Sequence, residues 1–188
     1  MSFGKEDSIS SMMNDLKVES ELSLVKVIAI DDIDETEIGG FKLEYKEAES
    51  KFDVPQWVAS ILVEKNLVKL ADVGIDTELS TANNNEKMKG MFELSELKPE
   101  IYKRINFHLK NLRSRSNNDP VIFQESNKIS TEFNDLINTR ISKMVSIASL
   151  PETPDNIQKI LTPEEYLLFN IVRSNIQEWR ESILGDEL

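Results

Sequence analysis

The chain of 188 residues has no cysteine and a single histidine, His108. Without cysteine there can be no disulfide, no thiolate nucleophile and no cysteine-ligated metal. The sequence contains no Gly-rich phosphate loop, Walker motif or nucleophile elbow. It also has no apolar run long enough to span a membrane. We therefore expect a non-enzymatic protein with no catalytic residues, no metal ligands, no cofactor and no membrane contact.

Basic residues are also scarce, since the net charge of the chain is −12. Residues 1–100 carry 11 Lys and Arg against 22 Asp and Glu, whereas residues 101–188 carry 11 against 12. An acidic surface repels phosphate, so the N-terminal half is expected to meet proteins rather than duplex DNA. The first seven residues lack the basic and apolar regions of a signal peptide, which favours an intracellular location.

The N-terminal half predicts strands around one helix. Residues 22–30 and 41–46 have strand patterns separated by an acidic turn and Gly39-Gly40. Pro55 fits the first position of a helix. The apolar residues that follow it recur on one helical face and are the predicted core of a small domain: Trp57, Val58, Ile61 and Leu62. A last strand at residues 67–70 completes a β-rich domain over residues 1–72.

Residues 73–91 are polar and show no periodicity, which indicates a linker or long loop. A helical pattern then extends over residues 92–188. Helices are predicted from about residue 101, at 127–148 and at about 155–160. A last helix has Thr162 as its N-cap, Pro163 at its first position and Glu165 completing a capping box. The predicted fold class is therefore α+β, with a small β-rich N-terminal domain followed by an all-α helical bundle.

The helical bundle contains an apolar stripe on each long helix, with Ile141 also expected to face inward. The same stripes would serve as bundle core or as a subunit interface, and they include Phe133, Leu136, Ile137, Arg140, Leu168, Ile171, Val172 and Trp179. Arg140 flanks its stripe. Its charge is expected either to snorkel to solvent or to form a buried ion pair with an acid on a facing helix or subunit.

Three polar features of the sequence are candidates for a functional site. Asp32-x-Asp34-x-Thr36 begins like a calcium loop, but Glu37 replaces the required glycine, so a solvated acidic loop is expected. His108 lies at the edge of an apolar stripe and is expected to be a satisfied structural histidine. A basic cluster on the first bundle helix is either a solvated face or a contact for nucleic acid or an acidic partner: Lys103, Arg104, Lys110, Arg113 and Arg115.

Three short motifs occur in an order that resembles a known family. The β-rich domain carries Val54-Pro55-x-Trp57-Val58-Ala59. The helical domain carries Asn138-Thr139-Arg140-Ile141-x-Lys143 and then Leu161-Thr162-Pro163-Glu164-Glu165. Together they resemble subunits of the GINS complex of the replication fork, of the archaeal type. The class is the one with the β-rich domain first (Partner of Sld Five, subunits two and three).

This resemblance implies a non-catalytic scaffold subunit. It would assemble through its helical domain with a companion subunit of reverse domain order into a 2:2 heterotetramer. That complex would link the MCM helicase to a Cdc45/RecJ-like protein and support unwinding, with primase or polymerase as a further candidate partner and little direct DNA binding. The expected location is cytoplasmic, at replication forks on the nucleoid, or nuclear in a eukaryote. The alternative is a nucleic-acid-binding regulator with a helical dimerisation domain.

Overall fold

A computed structural model describes residues 9–71, 74–115 and 119–185 of the chain. The fold is mixed α+β, which confirms the predicted class. The helices are α1 (Ile9–Leu22), α2 (Gln56–Glu64), α3 (Ile75–Met88), α4 (Ile101–Arg115), α5 (Pro120–Ala148), α6 (Ile157–Ile160) and α7 (Pro163–Leu184). The strands are β1 (Leu24–Ala29), β2 (Thr36–Ile38), β3 (Phe41–Leu43), β4 (Lys51–Pro55) and β5 (Val68–Leu70).

The chain divides into two compact units. Unit 1 comprises Met1–Ile75 and Phe107–Phe123, and unit 2 comprises Asp76–Asn106 and Gln124–Leu188. The division places residues 76–91 with the helical unit rather than in a linker between units. None of the helices in the described residues is long and apolar enough to cross a membrane.

Unit 1 contains a three-stranded antiparallel sheet in the order β4-β1-β5. Val25 of β1 lies opposite Val54 of β4, and Val27 lies opposite Leu70 of β5. Val27 and Val54 are fully buried. Side chains alternate along a strand, so Val25 and Val27 lie on the same face of β1. Both are β-branched, which favours a strand at the centre of a sheet.

The helix α2 covers the sheet, with Val58, Ala59 and Leu62 fully buried. Trp57 is only partly buried and packs against this core, while Ile61 is half-buried, so neither belongs to its buried centre. Pro55 is the N-cap, with φ of −55° and ψ of 144°, rather than the first helical residue. It is also the last, extended residue of β4, so the helix begins one residue later than predicted.

Strands β2 and β3 form a hairpin whose turn is Gly39-Gly40. The φ angles are 56° at Gly39 and 88° at Gly40, as a tight turn with two positive φ angles requires. A Cβ atom at Gly39 would lie 3.0 Å from the ring of Trp57. The ring of Trp57 therefore occupies the space that a side chain at position 39 would need.

Unit 2 begins with α3, so the predicted loop is wrong over residues 75–88; Val73, where that loop was expected to begin, lies outside the described residues. Leu79, Ala82, Asn83 and Glu86 form a buried face at helical spacing. Two of these four are polar, which hides the period from a hydrophobicity pattern. The helix carries acids in its first turn and Lys87 in its last, as the helix dipole favours.

Helix α5 begins at residue 120, earlier than the sequence pattern predicts. The side chain of Asp119 accepts a hydrogen bond from the backbone N–H of Val121 at 2.8 Å, and Pro120 is the first helical residue. Helix α7 has the predicted capping box, with Thr162 and Glu165 bonded in both directions. Both long helices therefore start with a polar cap followed by proline.

The first prediction concerns the turn of the hairpin. We expect Gly39→Ala to lower the free energy of unfolding by about 2 kcal/mol, because alanine is strained at a positive φ and its Cβ meets Trp57. Urea denaturation followed by tryptophan fluorescence measures this. Gly90→Ala is the control, since its φ is not positive and no atom lies within 4 Å of the added Cβ. Equal stability of both variants would contradict the packing described.

Candidate functional site: a buried charge network

The centre of unit 2 is a fully buried arginine. Arg140 on α5 has an exposed fraction of 0%. Its Nη2 donates to Glu165 Oε2 at 2.7 Å, and its Nε donates to the other oxygen of the same carboxylate at 2.5 Å. Its Nη1 donates to Glu86 Oε2 at 2.7 Å and to the carbonyl oxygen of Ser95 at 2.8 Å. The guanidinium therefore joins α5 to α3, to α7 and to the chain segment before α4.

Glu86 on α3 connects Arg140 to a second buried cation. Its Oε2 accepts hydrogen bonds from the backbone N–H and the hydroxyl of Ser95 at 3.0 and 2.6 Å. Its Oε1 lies 2.8 Å from Nζ of Lys143, which is also buried. Lys143 donates further to the carbonyl oxygens of Glu86 and Lys89 at 2.5 and 3.2 Å. Two cations and two carboxylates balance, as burial of charge requires.

Glu165 on α7 combines a capping role with an ion pair. Its carboxylate accepts from the backbone N–H of Thr162 at 3.0 Å, and the same group binds Arg140 and the hydroxyl of Tyr102. The capping box is visible in the sequence, but the ion pair is not, because it depends on a residue 25 positions away. Arg140 thus forms buried ion pairs within the chain. Its partner acids belong to facing helices rather than to another subunit.

Burial and charge shift three pKa values in this network. Burial alone would raise the pKa of Glu86, but hydrogen bonds from Lys143 and Ser95 and the charge of Arg140 outweigh it, so the pKa lies below the ordinary 4.5. Burial and the neighbouring Glu165 raise the pKa of Tyr102. Burial would lower the pKa of Arg140, but the hydrogen bonds and charge of Glu165 outweigh burial, so the pKa lies above its ordinary value. All these groups keep their ordinary charge near neutral pH.

The other predicted core residues of the bundle fall into three groups. Phe133 and Leu136 are buried. Partly buried positions are Ile137, Leu168, Ile171 and Val172. Ile141 and Trp179 are exposed, Trp179 by 64%. Ile141 lies one position from Arg140, whose face is the buried one, and Trp179 lies beyond the last turn of α7 that packs on the core. Sequence patterns missed Phe169, which is buried and which follows Glu165 by one helical turn.

The basic cluster lies on α4 and is divided between the two units. Lys103 and Arg104 belong to unit 2, whereas Lys110, Arg113 and Arg115 belong to unit 1 and are exposed. Arg104 Nη1 lies 3.1 and 2.8 Å from the two carboxylate oxygens of Glu78, so this cation already has an acidic partner within unit 2.

Two further polar predictions have different outcomes. In the acidic loop, Asp32 Oδ1 accepts from the backbone N–H of Ala48 at 2.8 Å and so stabilises the loop itself. His108 is half-buried, and neither ring nitrogen has a hydrogen-bond partner within the described residues. The expectation of a satisfied histidine is therefore wrong.

Comparison with known proteins adds no family assignment: no protein-family model matches the chain, and no significantly similar curated protein was found.

We expect Arg140→Ala to lower the free energy of unfolding by about 3–5 kcal/mol, because it leaves Glu86 and Glu165 buried with one cation fewer. Urea denaturation followed by circular dichroism measures the loss. Lys128→Ala on the same helix is the matched control, since Lys128 is exposed and its pair with Glu132 spans 4.0 Å. A loss of under about 1 kcal/mol in both variants, the range of a surface pair, would contradict the buried network.

The lowered pKa of Glu86 predicts a dependence of stability on pH. A carboxylate whose pKa is depressed by folding stabilises the fold above its unfolded pKa, and this contribution disappears as pH falls through the folded pKa. The urea midpoint should therefore fall as pH decreases below about 4.5. Glu86→Gln should make this fall shallower, whereas Glu93→Gln, at an exposed position, should leave it unchanged. Identical pH profiles for all three proteins would count against the assigned role of Glu86.

Proposed function

We propose that this chain is a non-catalytic structural subunit of a GINS-type replication-fork complex. The observation that supports this most is the Arg140–Glu165 ion pair. The two helical motifs that carry the family resemblance, residues 138–143 and 161–165, are far apart in sequence, and this pair joins them. Lys143, at the end of the first motif, is bound to the same network through Glu86. The motif residues therefore act together as the structural centre of a helical unit.

The outer faces of the same helices support an assembly role. Helix α7 exposes Trp179 and Ile183, which continue the stripe of Val172 and Ile176 that packs on the core. Helix α5 exposes Ile141 and Val145, which lie one turn apart. Apolar faces that extend beyond their own core suit association with another protein.

The wider role follows from the resemblance. The chain would join a companion subunit of reverse domain order in a 2:2 heterotetramer, which links the MCM helicase to a Cdc45/RecJ-like protein at the replication fork, in the cytoplasm of an archaeal cell. The acidic N-terminal half suits contact with protein better than contact with DNA. The nucleic-acid alternative has less support, because one cation of the basic cluster, Arg104, is already paired with Glu78.

The test is the solution mass by light scattering, alone and after co-expression with a GINS subunit of reverse domain order. We expect a stable complex of about four subunits, two of each. Trp179→Ser should weaken the complex without changing the circular dichroism of the free chain, whereas Tyr45→Ser, an exposed residue of unit 1, should not. A folded monomer or homodimer that ignores the companion would reject the proposal. Salt-sensitive DNA binding by that species would then favour the regulator.

A further inference from the structure

The last residue of α3 and the segment that follows it expose three large apolar side chains within five residues. Met88 is 85% exposed, Met91 is 61% exposed and Phe92 is 54% exposed. We call residues 88–92 the apolar loop. Single exposed apolar side chains are common on protein surfaces, but three within five residues are typical of an interaction site.

The two ends of the apolar loop are held together by the buried network. On one side, Nζ of Lys143 binds the carbonyl oxygens of Glu86 and Lys89. On the other side, Ser95 donates its N–H and hydroxyl to the carboxylate of Glu86, and its carbonyl oxygen accepts from Arg140. Glu86 and Ser95 thus close the segment into a short loop with bonded ends, a compact form that frequently carries function.

The exposure of the apolar loop does not result from loose attachment. Leu94 and Leu97 are buried directly after it, and the backbone N–H of Glu93 bonds to the carbonyl oxygen of Gly90 at 3.1 Å within it. A loop that is already ordered loses little conformational entropy on binding. Methionine adapts to irregular apolar surfaces, and phenylalanine supplies a large anchor. These are the properties of a preorganised docking element.

Charge next to the apolar loop indicates what it binds. At the end of the loop, the exposed Glu93 follows Phe92. At its start, Lys87 and Lys89 are exposed on both sides of Met88, and neither forms an ion pair with another described residue. They would complement acidic side chains. Unit 2 as a whole has 11 Lys and Arg against 17 Asp and Glu, and this net negative charge disfavours a polyanionic surface such as nucleic acid or anionic lipid. An apolar pocket on another protein, with acids only where they face Lys87 and Lys89, carries far less negative charge than such a surface.

We propose that the apolar loop is a docking element that inserts Phe92 and its neighbouring methionines into an apolar pocket with an acidic rim on a protein partner. The pocket buries the three side chains, and acids at its rim pair with Lys87 and Lys89. This proposal depends on the apolar loop and on the buried network that holds its ends. It is independent of the assignment to a replication complex.

The experiment places the photo-crosslinking residue p-benzoylphenylalanine at position 92 of the full chain in its native cells. The same residue at position 166, which is exposed on α7 in the same unit, is the control. We expect position 92 to crosslink one protein that position 166 does not, at residues that line an apolar pocket flanked by Asp or Glu. Absence of a product, or a product with a nucleic acid, a lipid or a second copy of the chain, would overturn the proposal.

The crosslinked protein is then purified and titrated with the wild-type chain and its variants. Phe92→Ser should weaken binding by at least about tenfold, as removal of an interface anchor does. Lys87→Glu combined with Lys89→Glu should also weaken binding, with a loss that shrinks as salt is added. Tyr166→Ser should leave binding unchanged. An unchanged dissociation constant for Phe92→Ser would refute the docking role even if the crosslink had formed.

Discussion

The burial of one guanidinium determines the structure of the helical unit. A charge without contact to water must be neutralised and hydrogen-bonded, and every guanidinium nitrogen of Arg140 has an acceptor among carboxylates from α3 and α7 and a carbonyl oxygen from the segment before α4. Because each partner comes from a different element, the elements can pack in only one register without leaving a buried charge unpaired. Apolar contacts around Met144 and Ile147 add stability to that arrangement but specify it less sharply.

The same network connects the interior of unit 2 to its surface. Lys143 neutralises Glu86 and also binds the backbone that leads into the apolar loop. Glu165 neutralises Arg140 and caps α7, whose far end carries exposed apolar side chains. Both surfaces that we propose for binding are therefore positioned by buried charge. A change at Arg140 would disturb them through the fold rather than by direct contact.

The elements that sequence patterns predict correctly are those with local signals. Strands β1 and β5 carry β-branched apolar residues, and the start of α7 carries its cap, its proline and its acid together. The sequence pattern does not predict strands β2 and β4. Helix α3 lacks such a signal because its buried face includes Asn83 and Glu86, whose partners lie about 50 residues away. A hydrophobicity pattern treats a buried, paired carboxylate as solvent-exposed, so it predicts a loop where the helix lies. The partners of Arg140 are equally distant in sequence. The sequence pattern therefore leaves two alternatives for its charge, which are contact with solvent and a buried ion pair.

The claim that buried charge makes α3 part of the helical unit has a direct test in native-state hydrogen exchange. The account predicts that amides of Leu79 to Glu86 in α3 exchange with about the same opening free energy as those of α5 around Arg140, because the ion pairs tie the two helices together. Exchange of the α3 amides at rates typical of a solvated linker, while α5 stays protected, would contradict it.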